Sequence, residues 1–348
     1  MDFLPIGAWA ALAGLITGAA LGLAARLGDF CTLGALESAV WGGDQRRLRL
    51  WGIVLATAIA STQGLALAGL IDIAASQYHR IAWSLSGSLA GGLIFGYGMA
   101  LAGNCGFGAL ARAGGGDIRA LTVAVVMGIA GFFALSGPAA PLRLWLFPLN
   151  YDPPPQGILS DAAQLGLSPL VVVAVLVPGL LGWALCYAPL RQSRRMILWG
   201  IVAGLAVTFA FWSTSLLGAI SLDAVPVEGP SFTAPLGRTI LYIMTSSGSG
   251  LSFSTGLVFG VIFGGLGGAL LRGLFRWEAC EDPRELGRQL FGAVLMGIGG
   301  VIALGCSVGQ GLSGFAALAW SGPVTLAAIS LGGLLGLRRL IGGDSAID

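Results

Sequence analysis

Leu85-Ser86-Gly87-Ser88-Leu89-Ala90-Gly91-Gly92-Leu93-Ile94-Phe95-Gly96-Tyr97-Gly98-Met99-Ala100-Leu101-Ala102-Gly103 is an unbroken apolar run, and Asn104-Cys105-Gly106-Phe107-Gly108-Ala109-Leu110-Ala111-Arg112 follows it with no polar loop between. The first stretch has the length that crosses a bilayer, about 20 residues. The second, taken from Cys105 to Gly114, reaches about 15 Å as a helix, half the hydrocarbon thickness. It can re-enter a membrane but cannot cross it. The rest of the chain agrees: of 348 residues 56% are hydrophobic, only 10% are charged and 58 are Gly, and the mean hydropathy is +0.87. A soluble domain carries about 25% charged residues, so the composition argues against a cytosolic enzyme, a nucleic-acid binder and a disordered protein. The expected fold class is an all-α polytopic membrane protein.

Reading outward for further apolar runs gives nine spanning helices, at about Ile6 to Ala25, Leu48 to Leu70, Leu85 to Gly103, Arg119 to Ser136, Ser168 to Ala188, Met196 to Leu216, Ser252 to Leu271, Gln289 to Leu304 and Gly322 to Leu337. All 18 basic residues are Arg, and their placement tests the count, because a missed span would scramble the alternation of charge between the two sides. Segments reached after an odd number of crossings hold 15 of them; only Arg80, Arg143 and Arg238 fall on the other side. The Arg-rich side is therefore expected to be cytoplasmic, with the N-terminus outside and the C-terminus inside. Met1 to Pro5 carries no basic residue, so a cleaved signal peptide is not expected.

Short, glycine-rich, apolar elements recur at corresponding places: Asp29 to Glu37 after the first span, Gly103 to Arg112 after the third, Gly229 to Arg238 after the sixth and Gly305 to Gly314 after the eighth. The order span, short element, span, span, short element, span thus occurs twice, with the fifth span between. An odd helix between two copies delivers the second in the opposite sense, which predicts an inverted repeat: residues 1–136, a linker with one span over 137–195, and residues 196–348. Such folds bind near the midplane, where half-helix N-termini aim partial positive charge at the substrate.

Five cysteines stand at 31, 105, 186, 280 and 306, with no CxxC pair, so neither a dithiol oxidoreductase nor a closed zinc site is expected, and no cofactor. Cys31, Cys105 and Cys306 coincide with the starts of short elements. There a helix dipole polarises the thiol, and sulfur suits a sulfur-containing ligand. Cys186 is expected to pack inside the fifth span and Cys280 to be a solvated thiol. No ionisable residue is expected near the midplane, so the path would be lined by thiols, by backbone amides around Gly103, Gly106 and Gly305, and by the hydroxyls of Thr32, Ser307 and Ser313.

These residues resemble the YeeE/YedE family of bacterial inner-membrane proteins for uptake of sulfur compounds, thiosulfate above all. The likeness rests on Phe30-Cys31 with Gly34-Ala35, on Gly103-Asn104-Cys105 with Gly108 and Arg112, and on Leu304-Gly305-Cys306-Ser307-Val308-Gly309-Gln310-Gly311-Leu312-Ser313-Gly314. It implies nine spans with re-entrant helices, an hourglass of inverted halves, functional roles for Cys31, Cys105 and Cys306, and a TusA-like sulfurtransferase on the cytoplasmic side. Asn104 stands where the family often has glycine, which would add an amide contact to the anion; the third short element has Thr233 in place of a thiol. Two other classes stay open, a thiol-disulfide redox protein and a structural subunit of a membrane complex.

Overall fold

The computed structural model describes residues 5–148, 157–221, 224–248, 250–279 and 282–344. Its elements in chain order are α1 (Ile6–Leu27), α2 (Thr32–Val40), α3 (Arg46–Leu67), α4 (Gln77–Arg80), α5 (Leu85–Ala102), α6 (Gly106–Gly114), α7 (Ile118–Leu135), α8 (Ala140–Leu146), α9 (Ile158–Gln164), α10 (Pro169–Leu185), α11 (Ala188–Gln192), α12 (Arg194–Ile220), α13 (Thr233–Thr245), α14 (Phe253–Arg272), α15 (Pro283–Ile302), a π segment (Gly309–Gly314) and α16 (Ser321–Asp344). Among the described residues the only extended pairings are two isolated bridges.

Eight helical segments, built on α1, α3, α5, α7, α12, α14, α15 and α16, are long and apolar enough to cross a membrane. The expected fifth span is α10, an apolar helix of 17 residues. It runs antiparallel to α3. Pro169 at its start shares a cavity wall with Ala66 and Leu67 at the end of α3, and at its other end the Trp183 carbonyl accepts from Arg49, whose guanidinium lies 4.7 Å from the Trp183 ring.

The outer faces of these helices are as apolar as their inner ones. On α7, Leu121, Val125, Ile129 and Phe133 are exposed while Val123, Met127, Ala130 and Ala134 are buried. A four-residue stripe of large exposed hydrophobics is untenable in water and ordinary in lipid. Glycine sets the interior packing. Along α1, Gly14, Gly18 and Gly22 face the backbone of α14, and Gly256, Gly260 and Gly264 of α14 face the backbone of α1, so that any Cβ at these positions would strike main-chain atoms. This is the small-residue spacing by which membrane helices approach closely. Besides this pair, α12 packs on α1 and α3, α15 on α5 and α7, and α16 on α5.

Several helices run past the bounds of the hydropathy reading: α12 ends at Ile220, α16 at Asp344, and α15 begins at Pro283, ahead of Gln289. The Asp282 carboxylate accepts from the Arg284 amide at 2.9 Å and Pro283 occupies the first turn, a start signal that an apolar-run count does not register.

Candidate functional site

Two residues before each of three cysteines the backbone turns left-handed: Asp29 (φ 55°) before Cys31, Gly103 (φ 74°) before Cys105 and Leu304 (φ 58°) before Cys306. Each turn ends a spanning helix and redirects the chain into a short one. The cysteine then sits at the new N-terminus, as the N-cap of α2 for Cys31 and of α6 for Cys105. At two of them the sulfur itself accepts from the amide three residues on. Gly108 N–H donates to Cys105 Sγ at 3.4 Å and Gly309 N–H to Cys306 Sγ at 3.3 Å. A thiol here does what serine or aspartate does elsewhere at a helix start.

The three short elements bring their inner ends together. The Thr32 hydroxyl donates to Ser307 Oγ at 3.2 Å, joining the residues that follow Cys31 and Cys306. Cys105 lies within electrostatic range of Cys31 and Cys306 and beside the Ser307 hydroxyl. Cys105 and Cys306 are buried, Cys31 is partly exposed, and all three thiols are free. Behind them runs a fully enclosed aromatic row: Trp51 to Phe30 (4.9 Å between ring centroids), Phe30 to Phe107 (6.1 Å) and Phe107 to Phe232 (5.3 Å). Phe30, Phe107 and Phe232 belong to three different short elements, so the row ties them into one packed unit.

On one side of the thiols opens a cavity of about 350 Å³, walled by Gly305, Gln310, Thr233, Arg143, Glu228 and Arg238. It lies at the Leu135 end of α7. At the opposite end of that helix, about 27 Å away for 18 residues, is an ionic cluster: Arg112 with Asp117 (2.8 Å), Arg119 with Glu278 (3.3 Å) and Arg272 with Asp29 (3.1 Å). The Asp29 pair anchors the turn that presents Cys31.

Several buried polar atoms around the thiols have no partner among the described residues: Asn104 Oδ1, Thr233 Oγ1 and Gln310 Oε1. Buried polar atoms are normally satisfied, so the two orphans that line the cavity, on Thr233 and Gln310, mark a place prepared for a polar guest or water. Gln310 is half engaged, its Nε2 donating to the carbonyl of left-handed Leu304 at 3.0 Å. Among the described residues no three His, Cys, Asp or Glu are arranged to hold a metal ion.

The model of the family described as sulphur transport matches residues 27–335, a span that contains all three cysteine turns. The chain belongs to the sulphur transport family. Two relatives carry the name thiosulfate transporter TsuA. The one from Escherichia coli strain K12 is 28% identical over 339 residues, covering 92% of each chain; the one from Spirochaeta thermophila is 26% identical over 323 residues, covering 88% of this chain and 92% of its own. Membership makes this a multi-pass membrane protein of sulphur transport and, at the level of the family, a transporter and not an enzyme.

Of the residues singled out by sequence, Cys31, Cys105, Cys306, Thr32 and Ser307 meet at the inner ends, and Asn104 stands beside them. Gly103 supplies the left-handed turn, Gly106 leaves room for the Met127 sulfur and Gly305 for the Gln310 side chain. Gln310 and Thr233 line the cavity. Cys186, expected to pack, is exposed at the end of α10, because that helix is covered by α3 along one face only. Cys280 lies outside the described residues. Sequence reasoning passed over Glu228, which precedes Gly229-Pro230 in what reads as an ordinary polar loop. The cavity wall that includes it is completed by residues distant in sequence, among them Tyr78, Arg143 and Gln310.

Proposed function

We propose that this protein carries a small sulfur oxyanion, thiosulfate, across the bacterial inner membrane through a constriction formed by Cys306, Cys105 and Cys31. The observation that carries this reading is the meeting of three free thiols, each at a helix start behind a left-handed turn, next to a cavity that Gly305, the neighbour of Cys306, helps to wall and that holds orphaned polar atoms. The cavity adjoins Cys306 through Gly305, and the partly exposed Cys31 faces the Arg-rich side, so the anion meets the thiols in the order Cys306, Cys105, Cys31. Thiols and half-helix amides donate weak hydrogen bonds, individually small, and weak sites in series let an ion leave as readily as it arrives.

We further read the chain as nine crossings in two inverted halves, residues 1–136 and 196–348, linked through 137–195. The packing supports this. Exchanging α1 with α12, α3 with α14, α5 with α15 and α7 with α16 converts the α1/α14 contact into α12/α3 and the α5/α16 contact into α15/α7, and all four contacts exist. The same exchange takes α6, which carries Cys105, onto the π segment after Cys306, and α2 onto α13. These short helices are read as re-entrant. The cavity side is outside and the Arg-rich side cytoplasmic, where a TusA-like sulfurtransferase would consume the cargo. A consumer matters. A dianion entering against an inside-negative potential faces about 2.3 kcal/mol per charge per 100 mV, roughly 4.6 kcal/mol in all.

The test is initial thiosulfate uptake by cells or proteoliposomes carrying Cys31→Ala, Cys105→Ala or Cys306→Ala at matched membrane abundance. Each is expected to lose at least about ten-fold, the equivalent of one lost interaction of about 1.4 kcal/mol, while Cys186→Ala transports normally. Normal uptake by all three would falsify the thiol pathway.

A further inference from the structure

The cavity above the thiols holds two cations and one acid, and the acid is the unexplained member. Glu228 is held by its backbone: its amide and carbonyl both engage Thr214 Oγ1 on α12, each at 3.2 Å. Its carboxylate is 13% exposed and stands 3.8 Å from Arg238 Nη1, longer than a hydrogen bond. Arg238 is half exposed to the cavity, and among the described residues its one hydrogen bond runs from Nη1 to Ser254 Oγ at 3.3 Å. Facing the pair are Arg143 on α8 and the Thr233 hydroxyl, which is 2% exposed and has no partner among the described residues. Gly300 lies so close to Thr233 Oγ1 that a Cβ there would crowd it at 2.5 Å. The hydroxyl's place is therefore built, and its orphaned state points to a ligand.

We propose that Glu228 is a displaceable counter-ion at an anion-capture site: a dianionic sulfur oxyanion binds Arg238, Arg143 and the Thr233 hydroxyl when Glu228 takes up a proton and releases Arg238. This rests on the transport reading. With Glu228 ionised the Arg238 charge is balanced by the carboxylate beside it; with Glu228 protonated that charge is open to an anion. Among the described residues the remaining titratable group facing Glu228 is the Tyr78 phenol on α4, with Ser254 on α14 supplying a hydroxyl. Burial raises the proton affinity of Glu228 above that of an ordinary carboxyl, and the Arg238 charge opposes the rise. The sign follows. Below its pKa Glu228 is neutral and the site open to the anion; above it the carboxylate competes for Arg238. By linkage, the bound dianion in turn favours protonation, so capture draws a proton from the outer water and brings one net negative charge into the cavity instead of two.

The experiment measures KM for labelled thiosulfate in proteoliposomes between ~pH 5 and 8, together with proton uptake when thiosulfate is added to the weakly buffered wild-type protein in detergent. In wild type, KM should rise with pH by up to about ten-fold per unit above the Glu228 pKa, and binding should take up close to one proton per anion. Glu228→Gln should hold a low KM across the range, and Glu228→Asp should keep the pH slope. A wild-type slope in Glu228→Gln, or no proton uptake on binding, overturns the proposal even if that variant inserts poorly, since the second measurement needs only wild type. Absence of thiosulfate uptake by wild type at every pH would instead sink the transport reading.

Discussion

A left-handed backbone costs different residues different amounts, and the three cysteine turns sample that range. Glycine adopts φ near +74° freely, aspartate tolerates +55°, and leucine at +58° loses roughly 1–2 kcal/mol. Leu304 keeps its strained turn because Gln310 Nε2 holds its carbonyl. At Gly103 nothing lies within 4 Å of a Cβ position, so a substitution there tests conformation alone. Gly103→Ala is expected to destabilise by about 1–2 kcal/mol and to lower uptake by moving Cys105. Gly108→Ala, inside α6 with only ordinary contacts, should unfold at or slightly above the wild-type temperature, which thermal unfolding in detergent will show. At this scale the cysteines were legible in the sequence, because a thiol at a glycine-flanked helix start leaves a local pattern. Glu228 was not legible. Nothing near it in sequence tells that Tyr78, Arg143 and Gln310 come to share its cavity.

Elements are held together here by glycine acting between helices, a role the 58 glycines of the composition conceal. Gly18 on α1 faces the carbonyl of Leu257 and the Cα of Gly260, some 240 positions away. The same residue type in Gly287 of α15 has no neighbour within 4 Å. The sequence cannot distinguish them, since the deciding atom belongs to a partner helix unknown until the fold is known. The two should respond oppositely to a side chain. Gly18→Val forces α1 off α14 and, with overpacking alone worth 1–3 kcal/mol or more, is expected to leave little protein monodisperse on size-exclusion chromatography. Gly287→Ala should gain up to about 1 kcal/mol of helix propensity. Equal behaviour of the two variants would show that α1 and α14 do not depend on close approach.

For the whole molecule the question turns on α10, because eight crossings would leave both termini on one side of the membrane and nine put them on opposite sides. Its 17 residues rise about 26 Å against about 30 Å of hydrocarbon, a mismatch of a few Å that costs only fractions of a kcal/mol per Å. Alongside α3 it also runs the same depth, from Leu67 at one end to Arg49 at the other. Eight helices able to cross a membrane were legible in the apolar runs, because length and hydropathy are demands of the bilayer, read one segment at a time. How α10 lies against α3 was not. With nine crossings, a fluorescent reporter fused after Asp348 glows in the cytoplasm and a phosphatase at the same place stays inactive, whereas a phosphatase inserted at Gly166, in the turn before α10, is active outside. An active phosphatase at Asp348 would remove α10 from the membrane. The second half would then enter in the same sense as the first, and Cys306 could no longer approach Cys105 from the opposite face.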